Sequence, residues 1–446
     1  MRLLVRCVIA ACALCVAAMP AWAQNSGGLP GKEHTQAKAA YDQAERVVLL
    51  GNAAEGEVVH YKFDVRVGTG PFDVIQIHRV VKEVSPGRPA KKMEGVLLLP
   101  GLPQLFEPIF MMAGAPGVPE DQGSIAVYLA THGVDVWGMD YGHSFIPYPT
   151  TSFAYLQGWG IGKEVAHIHI ALSVARYLRV NSEQGVGPIH LLGFSYGGFL
   201  VYAAAAEDSR NPGNLRNIKG IVPVEGSAFK QPMGSASQLT ACNSAKSAIA
   251  KLDMGTYQSD GSIYLTMGLA ALNQPNDPAS LSGAAIPRPP APPVFPEFPA
   301  GTFTNFQAVS VQMVRTGFLG GSYTVSPPLV SLRFTDSQRI ADLFGVSPAY
   351  SPLQVSYEMS ASRCSSDTYP VTFDDQLDEV EVPILYISRQ ATNLYATTLT
   401  QSGDVSSLVL NPALDPSLYG HADFFLANNA ATEVWQHILS WIQAHQ

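Results

Sequence analysis

Continuous apolar runs separated by helical segments are the feature that most restricts the fold of this chain. The helical segments between these runs span residues 125–133, 161–180 and 196–207. A continuous apolar run suits a strand that is buried on both faces, as in a parallel sheet. The runs are GVLLLPG (95–101), VDVWGMD (134–140), PIHLLGFS (188–195), IKGIVPVEG (218–226) and VPILYIS (382–388). This alternation predicts an α/β fold whose mostly parallel sheet is covered by helices.

The alternation is interrupted once, which predicts a core domain in two parts. In residues 230–375 the alternation of apolar runs and helical segments is absent, and Ser, Gly, Asn and Pro are frequent. This region includes the proline-rich segment IPRPPAPPVFPEFP at 286–299. Proline forbids regular helix and central strand there. We therefore expect a core of residues 46–229 and 376–446, interrupted by a cap or lid insertion. An insertion between late strands would lie above their carboxyl ends, where ligands bind in such sheets.

The amino terminus has the parts of a secretory signal peptide. A basic start, an apolar run over residues 7–19 and small residues at Ala21 and Ala23 predict cleavage after Ala23. A buried N-terminal helix is the alternative. Residues 24–45 are then a flexible leader, and the mature protein is periplasmic or secreted. The sequence has no other apolar span of 20 residues, so no transmembrane helix is expected.

Charge and cysteine content restrict the partners and the compartment. The net charge is −9, and loss of residues 1–23, with two arginines and no acid, would make it −11. An acidic chain without a Lys/Arg cluster is a poor nucleic-acid binder. Outside the signal peptide only Cys242 and Cys364 remain, and we expect one disulfide, with two separate thiols as the alternative. Because no Cys/His spacing resembles a zinc site, no metal or cofactor is expected.

One serine lies in a turn typical of a catalytic nucleophile. The segment Gly193-Phe194-Ser195-Tyr196-Gly197 joins a predicted buried strand directly to a predicted helix. Gly-x-Ser-x-Gly in that setting is the nucleophile elbow, whose glycines relieve clashes in a strained turn. The alternative is a structural turn serine. A serine hydroxyl is a weak nucleophile, so a histidine base and an acid must accompany Ser195.

The sequence resembles the α/β-hydrolase superfamily, and its N-terminal half resembles the acid-lipase branch. The likeness rests on FDVIQIHRVV (72–81), GVLLLPGL (95–102) and YLATHGVDVWGMDYGHS (128–144). It covers about residues 60–225 and 380–446 and excludes the insertion. One departure is Pro100, which stands where the family usually has a histidine before the glycine. The resemblance implies acyl transfer to water without a cofactor or metal.

The resemblance also implies the oxyanion hole and the base. The amides of Leu102 and Tyr196 would hold the oxyanion, with Ala115 in FMMAGAPG (110–117) as a rival donor to Leu102. His421 in LYGHADFF follows the last predicted strand, as the base does in this superfamily. His143 and His437 fit that position less well.

The acid does not occupy the position that is most common in the superfamily. Residues 389–393, which follow VPILYIS, contain no carboxylate. Glu225 instead ends the strand after the nucleophile, a neighbouring position that some members use. It lies in an apolar strand end, where an idle carboxylate would cost desolvation energy. The alternatives are Asp404, Asp374 and Asp375, or a purely structural Glu225, while Asp140 resembles a loop-bracing residue.

The expected function is that of a carboxylesterase or lipase acting through an acyl-enzyme on Ser195. An amidase, a peptidase or an acyltransferase with the same triad is an alternative, as is a non-catalytic binding protein. The apolar segments YLTMGLAALN (264–273) and FPEFPAGTFTNF (295–306) suit an apolar acyl or aryl ester. They could equally form the small core of the insertion itself. The sequence leaves the acyl chain length and the oligomeric state open.

Overall fold

The computed structural model describes most of the chain beyond residue 31. The described residues are 32–52, 56–90, 93–112, 117–226, 230–280, 298–326, 329–366, 368–373, 377–390, 394–411, 413, 415 and 417–446. The predicted signal peptide, nearly all of the proline-rich segment, and the candidates Ala115, Asp374 and Asp375 lie outside these residues.

A central sheet organises the described chain. The strands are β1 (Val47–Asn52), β2 (Gly56–Arg66), β3 (Val74–Ser85), β4 (Arg88–Pro89), β5 (Glu94–Leu99), β6 (Val134–Asp140), β7 (Ile189–Phe194), β8 (Ile218–Val224), β9 (Gln258–Asp260), β10 (Gly321–Tyr323), β11 (Val330–Leu332), β12 (Tyr350–Pro352), β13 (Ile384–Ser388) and β14 (Val405–Val409). In the sheet they run in the order β1-β2-β3-β6-β5-β7-β8-β13-β14, with β4 beside β3. Pairing is antiparallel from β1 to β6 and parallel from β6 to β14.

Helices cover both faces of the sheet. They are α1 (Lys32–Gln43), α2 (Phe106–Phe110), α3 (Ile125–Thr131), α4 (Ile161–Asn181), α5 (Tyr196–Ser209), α6 (Ala236–Asp253), α7 (Ser262–Asn273), α8 (Asn305–Arg315), α9 (Ser337–Gly345), α10 (Leu353–Cys364), α11 (Asp423–Leu426) and α12 (Gln436–Ala444). Alternate residues of β5 enter opposite layers: Val96 and Leu98 pack with α3 and α12, and Leu97 and Leu99 pack with α4 and α5. This two-sided burial confirms the predicted mostly parallel α/β fold. Within the described residues, no helix combines the length and apolarity needed to cross a bilayer.

The amino-terminal part of the described chain differs from the flexible leader that we expected over residues 24–45. Residues 32–43 form α1, and Ala37 is fully buried against the α4 side of the sheet. His34 Nε2 lies 2.6 Å from Ser173 Oγ of α4, and the Tyr41 hydroxyl accepts a hydrogen bond from Arg79. The segment is polar in composition, but an Ala/Tyr face on successive turns gives it a surface to bury.

The insertion lies between two neighbouring strands. Elements α6 to α10 and the short strands β9 to β12 follow β8 and precede β13, and these two strands pair in parallel. Part of the insertion forms a small core in which the Phe298 and Phe303 rings pack against Tyr323. The apolar residues of FPEFPAGTFTNF thus serve at least partly as the core of the insertion, which is the alternative left open above.

A disulfide joins the two ends of the insertion. Cys242 of α6 and Cys364 of α10 are bonded, with 4.7 Å between their Cα atoms and a sequence separation of 122 residues. Around it α6 packs on α10 through buried Ala245 and Tyr357. The bridge therefore holds the entry and the exit of the insertion together.

Candidate active site

Ser195 occupies a strained turn at the carboxyl end of β7. Its backbone has φ 53° and ψ −108°, and it immediately precedes α5. A Cβ on Gly193 would lie 2.1 Å from the Gly197 carbonyl oxygen, and one on Gly197 would lie 2.3 Å from the Leu99 carbonyl oxygen. Both positions therefore require glycine, as the motif predicts. The side chain of Ser195 is half-buried, so solvent or a ligand can reach it.

Glu225 stands at the end of β8, next to the end of β13. Its Oε2 accepts hydrogen bonds from His421 Nδ1 at 2.9 Å and from Arg389 Nε at 2.7 Å. Its Oε1 accepts one from Ser388 Oγ at 2.9 Å and another from the backbone N–H of Arg389. Both carboxylate oxygens are thus occupied by donors that favour the charged form.

These donors determine the ionisation state of Glu225. Burial of the side chain, which is 3 % exposed, would by itself raise its pKa. The hydrogen bond from His421 and the positive charge of Arg389 outweigh burial and lower the pKa of Glu225 to about 2. Glu225 is therefore an ionised carboxylate, hydrogen-bonded to an imidazole, throughout the neutral range.

His421 lies in the loop between β14 and α11, where it contacts the turn that carries the serine. Its ring centroid is 4.9 Å from the ring of Phe194, the residue before Ser195. The backbone N–H of His421 donates to the Gly317 carbonyl oxygen at 2.9 Å, and the next N–H donates to that of Phe318 at 2.7 Å. The insertion thus positions the loop of the predicted base, which the sequence did not indicate.

A second anchor of this loop is Asp423, two residues after the histidine. Asp423 is fully buried, and its Oδ2 accepts hydrogen bonds from the N–H groups of Gly320 at 2.6 Å and Gly420 at 2.7 Å. Burial raises the pKa of Asp423 to about 6, although these hydrogen bonds oppose the rise. One carboxyl group therefore joins the histidine loop to the insertion.

Arg389 is a site residue that sequence reasoning missed. It is the first residue after β13, the place at which most superfamily members would carry the acid. Its Nη1 donates to the Gly317 carbonyl oxygen at 3.0 Å while its Nε binds Glu225. Gly317 therefore accepts from both Arg389 and His421, so one guanidinium connects the acid to the loop of the base. The sequence did contain a signal for this role, because an arginine stands at the position where the superfamily usually has the acidic residue.

Of the two predicted oxyanion donors, Tyr196 follows Ser195 in the chain, and Leu102 follows a glycine that lies beside the serine. Tyr196 is the first residue of α5, where backbone N–H groups have no partner within the helix. Leu102 follows Gly101, and a Cβ on Gly101 would lie 3.0 Å from Ser195 Cβ. The loop after β5 therefore reaches the serine.

The other candidates lie elsewhere or have other partners. Asp404 is exposed, precedes β14 and binds His445 Nε2 at 2.9 Å through its Oδ2, so it is not a partner of His421. His143 is fully buried, with its Nδ1 2.9 Å from Glu164 Oε1, and His437 is exposed on α12.

Asp140 makes the contacts of a bracing residue. Its Oδ1 accepts from the N–H of Phe106 at 2.6 Å, and its Oδ2 lies 3.0 Å from His78 Nε2.

Comparison with known proteins identifies the fold. No protein-family model and no curated protein sequence matches this chain. Among solved structures, a provisionally assigned lipase from Sulfolobus solfataricus is similar at TM-score 0.59 and 17% identity, over 91% of this chain and all of that one. A monoglyceride lipase variant from Saccharomyces cerevisiae is similar at TM-score 0.40 and 13% identity, over 91% of this chain and 97% of that one. A 2-hydroxy-6-oxo-6-phenylhexa-2,4-dienoate hydrolase from Rhodococcus sp. is similar at TM-score 0.40 and 15% identity, over 87% and 99%. The sheet order and the similarity to the Sulfolobus protein show that this chain has the α/β-hydrolase fold.

Proposed function

We propose that the protein is an exported serine ester hydrolase of the carboxylesterase or lipase type. The observation that carries the proposal is the 2.9 Å hydrogen bond between His421 Nδ1 and the buried Glu225 carboxylate. This pair lies beside the strand–turn–helix of Ser195, and a base held by an ionised acid next to a strained serine is the requirement for acyl transfer. The lipase description of the Sulfolobus protein agrees with this reading.

In the proposed mechanism Ser195 Oγ attacks the ester carbonyl while His421 Nε2 accepts its proton. Glu225 receives the Nδ1–H hydrogen bond, which selects the tautomer with a free Nε2 lone pair and stabilises the imidazolium. The imidazolium then protonates the leaving alcohol. Water, deprotonated by the same histidine, hydrolyses the acyl-enzyme and restores Ser195.

The tetrahedral intermediates need donors for their oxyanion. The backbone N–H groups of Tyr196 and Leu102 fill this role in the proposal, the first supported by the amino-terminal end of α5. Loss of one such donor typically costs about 3 to 4 kcal/mol of transition-state stabilisation.

The surroundings of the histidine favour an apolar acyl or aryl ester. The Phe318 ring lies 6.0 Å from the His421 ring and 5.6 Å from that of Phe344. Tyr264 stacks on Phe344 at 5.3 Å, so an aromatic row extends from the base into the insertion. Such a row would contact an apolar substrate group better than a charged one.

Export is part of the proposal. It rests on the basic and apolar amino terminus with small residues at Ala21 and Ala23. The Cys242–Cys364 disulfide supports it, because such bonds persist in oxidising compartments.

The test is hydrolysis of p-nitrophenyl acetate, butyrate, octanoate and palmitate by the wild type and Ser195→Ala. We expect the variant to lose activity on every ester, and the exposed Ser407→Ala control to keep it. A serine-reactive phosphonate should label the wild type but not Ser195→Ala. Faster turnover of matched amides would indicate an amidase instead, and absence of both turnover and labelling would indicate a binding protein.

A further inference from the structure

Two histidines and a glutamate outside the triad converge near the start of α2. The ligand atoms of His60, His78 and Glu107 all lie within 4.8 Å of one another. His60 Nε2 and His78 Nδ1 are 3.0 Å apart, and His78 Nδ1 is 4.0 Å from Glu107 Oε1. The histidines are 6 % and 0 % exposed, whereas the glutamate side chain is 42 % exposed. The cluster therefore has a buried side and a partly solvent-facing side.

The register of the sheet creates this cluster. The β2–β3 pairing sets His60 opposite Val80 and Lys62 opposite His78, so the two histidines share one face of the sheet at neighbouring pairs. On the next strand His78 pairs with Gly138, where a Cβ would lie 2.0 Å from the Phe106 ring. The missing side chain lets α2 pack close to the sheet, which brings the residue after Phe106 to the histidines.

His78 is oriented as a ligand would be. Its Nε2 lies 3.0 Å from Asp140 Oδ2, and because a carboxylate oxygen accepts, Nε2 is the donor of this contact. Nδ1 is then an acceptor, and it receives the Nε2–H of His60 at 3.0 Å. A bound ion would take the place of this shared proton, with His60 carrying its proton on Nδ1 instead. A histidine that donates its other ring N–H to a carboxylate is the usual arrangement of a metal ligand. This contact is a second observation, independent of the spacing, that indicates a cation site.

We propose that His60, His78 and Glu107 bind one Zn²⁺ ion, with water as the fourth ligand. Two imidazole nitrogens and one carboxylate oxygen are a donor set that zinc prefers, at roughly 2.0 to 2.2 Å. A tetrahedral ion at those distances places its ligand atoms roughly 3.4 Å apart. The two nitrogens are already close to that separation, and the exposed Glu107 side chain closes the remaining gap by rotation.

Lys62 occupies part of the site. Its Nζ lies 2.7 Å from Glu107 Oε1, and its side chain is 46 % exposed. The ion would replace this ammonium as the partner of Glu107, and Lys62 would move into solvent. The lysine thus competes with zinc, and its removal should strengthen binding.

Zinc at this position would fasten α2 to two strands of the sheet. Phe106, the first residue of α2, already donates its N–H to Asp140, so the same carboxylate contacts both the histidine and the helix. Leu102 is only four residues earlier in the chain. The proposed zinc site does not depend on the proposed function. An effect of zinc on catalysis through the loop of Leu102 would depend on it.

The test is calorimetric titration of Zn²⁺ into the full chain, stripped with EDTA and with free thiols alkylated. We expect one ion per chain and, with Co²⁺ as a spectroscopic probe, the visible bands of a tetrahedral site. Glu107→Gln and His60→Gln should weaken binding by at least about 100-fold. Lys62→Met should tighten it several-fold, and Glu120→Gln, an exposed acid close in sequence, should leave it unchanged.

Two results would overturn the proposal. One is absence of binding to the wild type at 1 mM Zn²⁺, a concentration of roughly 10³ times a micromolar dissociation constant. The other is equal affinity in Glu107→Gln and the wild type. Because the Glu107 side chain is 42 % exposed, this variant should fold, so the test holds even if the buried His60→Gln does not fold. Ester turnover is also measured for each variant without zinc. This measurement distinguishes an incorrect zinc site from an incorrect serine mechanism.

Discussion

Glu225→Gln is the substitution that tests the site most directly. It keeps the shape of the side chain but removes the charge that meets the imidazole of His421 and the guanidinium of Arg389. It also places an amide where two acceptor oxygens receive four hydrogen bonds. Stability and catalysis should therefore both change, each with its own magnitude.

The stability effect follows from the pKa of Glu225. The native pKa of about 2 lies below the ordinary value of 4.5, so the ionised group stabilises the fold above about pH 4.5. That stabilisation is lost as the pH falls from 4.5 through 2. The difference corresponds to about 3 kcal/mol of unfolding free energy at neutral pH. The gap between wild type and Glu225→Gln should therefore be about 3 kcal/mol at pH 7 and should narrow towards pH 2.

The catalytic effect follows from the tautomer of His421. An amide at position 225 can hold the imidazole with the wrong nitrogen protonated, a change that lowers kcat by about 10³- to 10⁴-fold in serine triads. The assays are urea unfolding between pH 2 and 7 and ester turnover at neutral pH. Asp404→Asn, the exposed alternative acid, is the matched control and should change neither quantity. A kcat within tenfold of wild type, or a stability gap that is the same at pH 3 and pH 7, would refute the reasoning.

Three further predictions concern the supports of the site. Arg389→Met should lower kcat about tenfold, because it removes the guanidinium that connects Glu225 to Gly317 and so to the His421 loop. Unchanged turnover would contradict this role. Reduction of the Cys242–Cys364 bond should lower the unfolding free energy by about 4 to 5 kcal/mol, the loop-entropy value for about 120 residues, and a constant urea midpoint would disprove it. Gly193→Ala should abolish soluble, active protein because its Cβ would lie 2.1 Å from a backbone carbonyl oxygen, whereas Gly187→Ala, with nothing within 4 Å, should behave as wild type.

The fold and the serine turn were predictable because their signals are local. A strand buried on both faces must be apolar along its whole length, so runs such as residues 95–99 reveal parallel strands directly. The glycines around Ser195 are required by contacts within a few residues, so the motif is visible in five letters. The same holds for His421, whose place after the last strand follows from chain order.

The acid was harder to predict because carboxylates look alike in sequence. Glu225 and Asp404 both adjoin strands, and the pairing of β8 with β13 is what places Glu225 beside Arg389, within reach of the His421 loop. Arg389 occupies the position expected for the acid. Because β8 lies beside β13, its guanidinium binds Glu225 and is the partner of the acid. Strand neighbours depend on the order of the sheet, which periodicity does not encode.

The sequence by itself determined the layers of this protein, the turn at Ser195 and the order of the serine and the histidine. Burial patterns and tight turns depend on adjacent residues, and these are read directly from the chain. Only the tertiary structure decided that α1 docks on the sheet, that Gly317 and Phe318 hold the histidine loop, and that His60 meets His78. Each of these contacts joins segments distant along the chain, and their side chains meet only once strand register and helix packing are established.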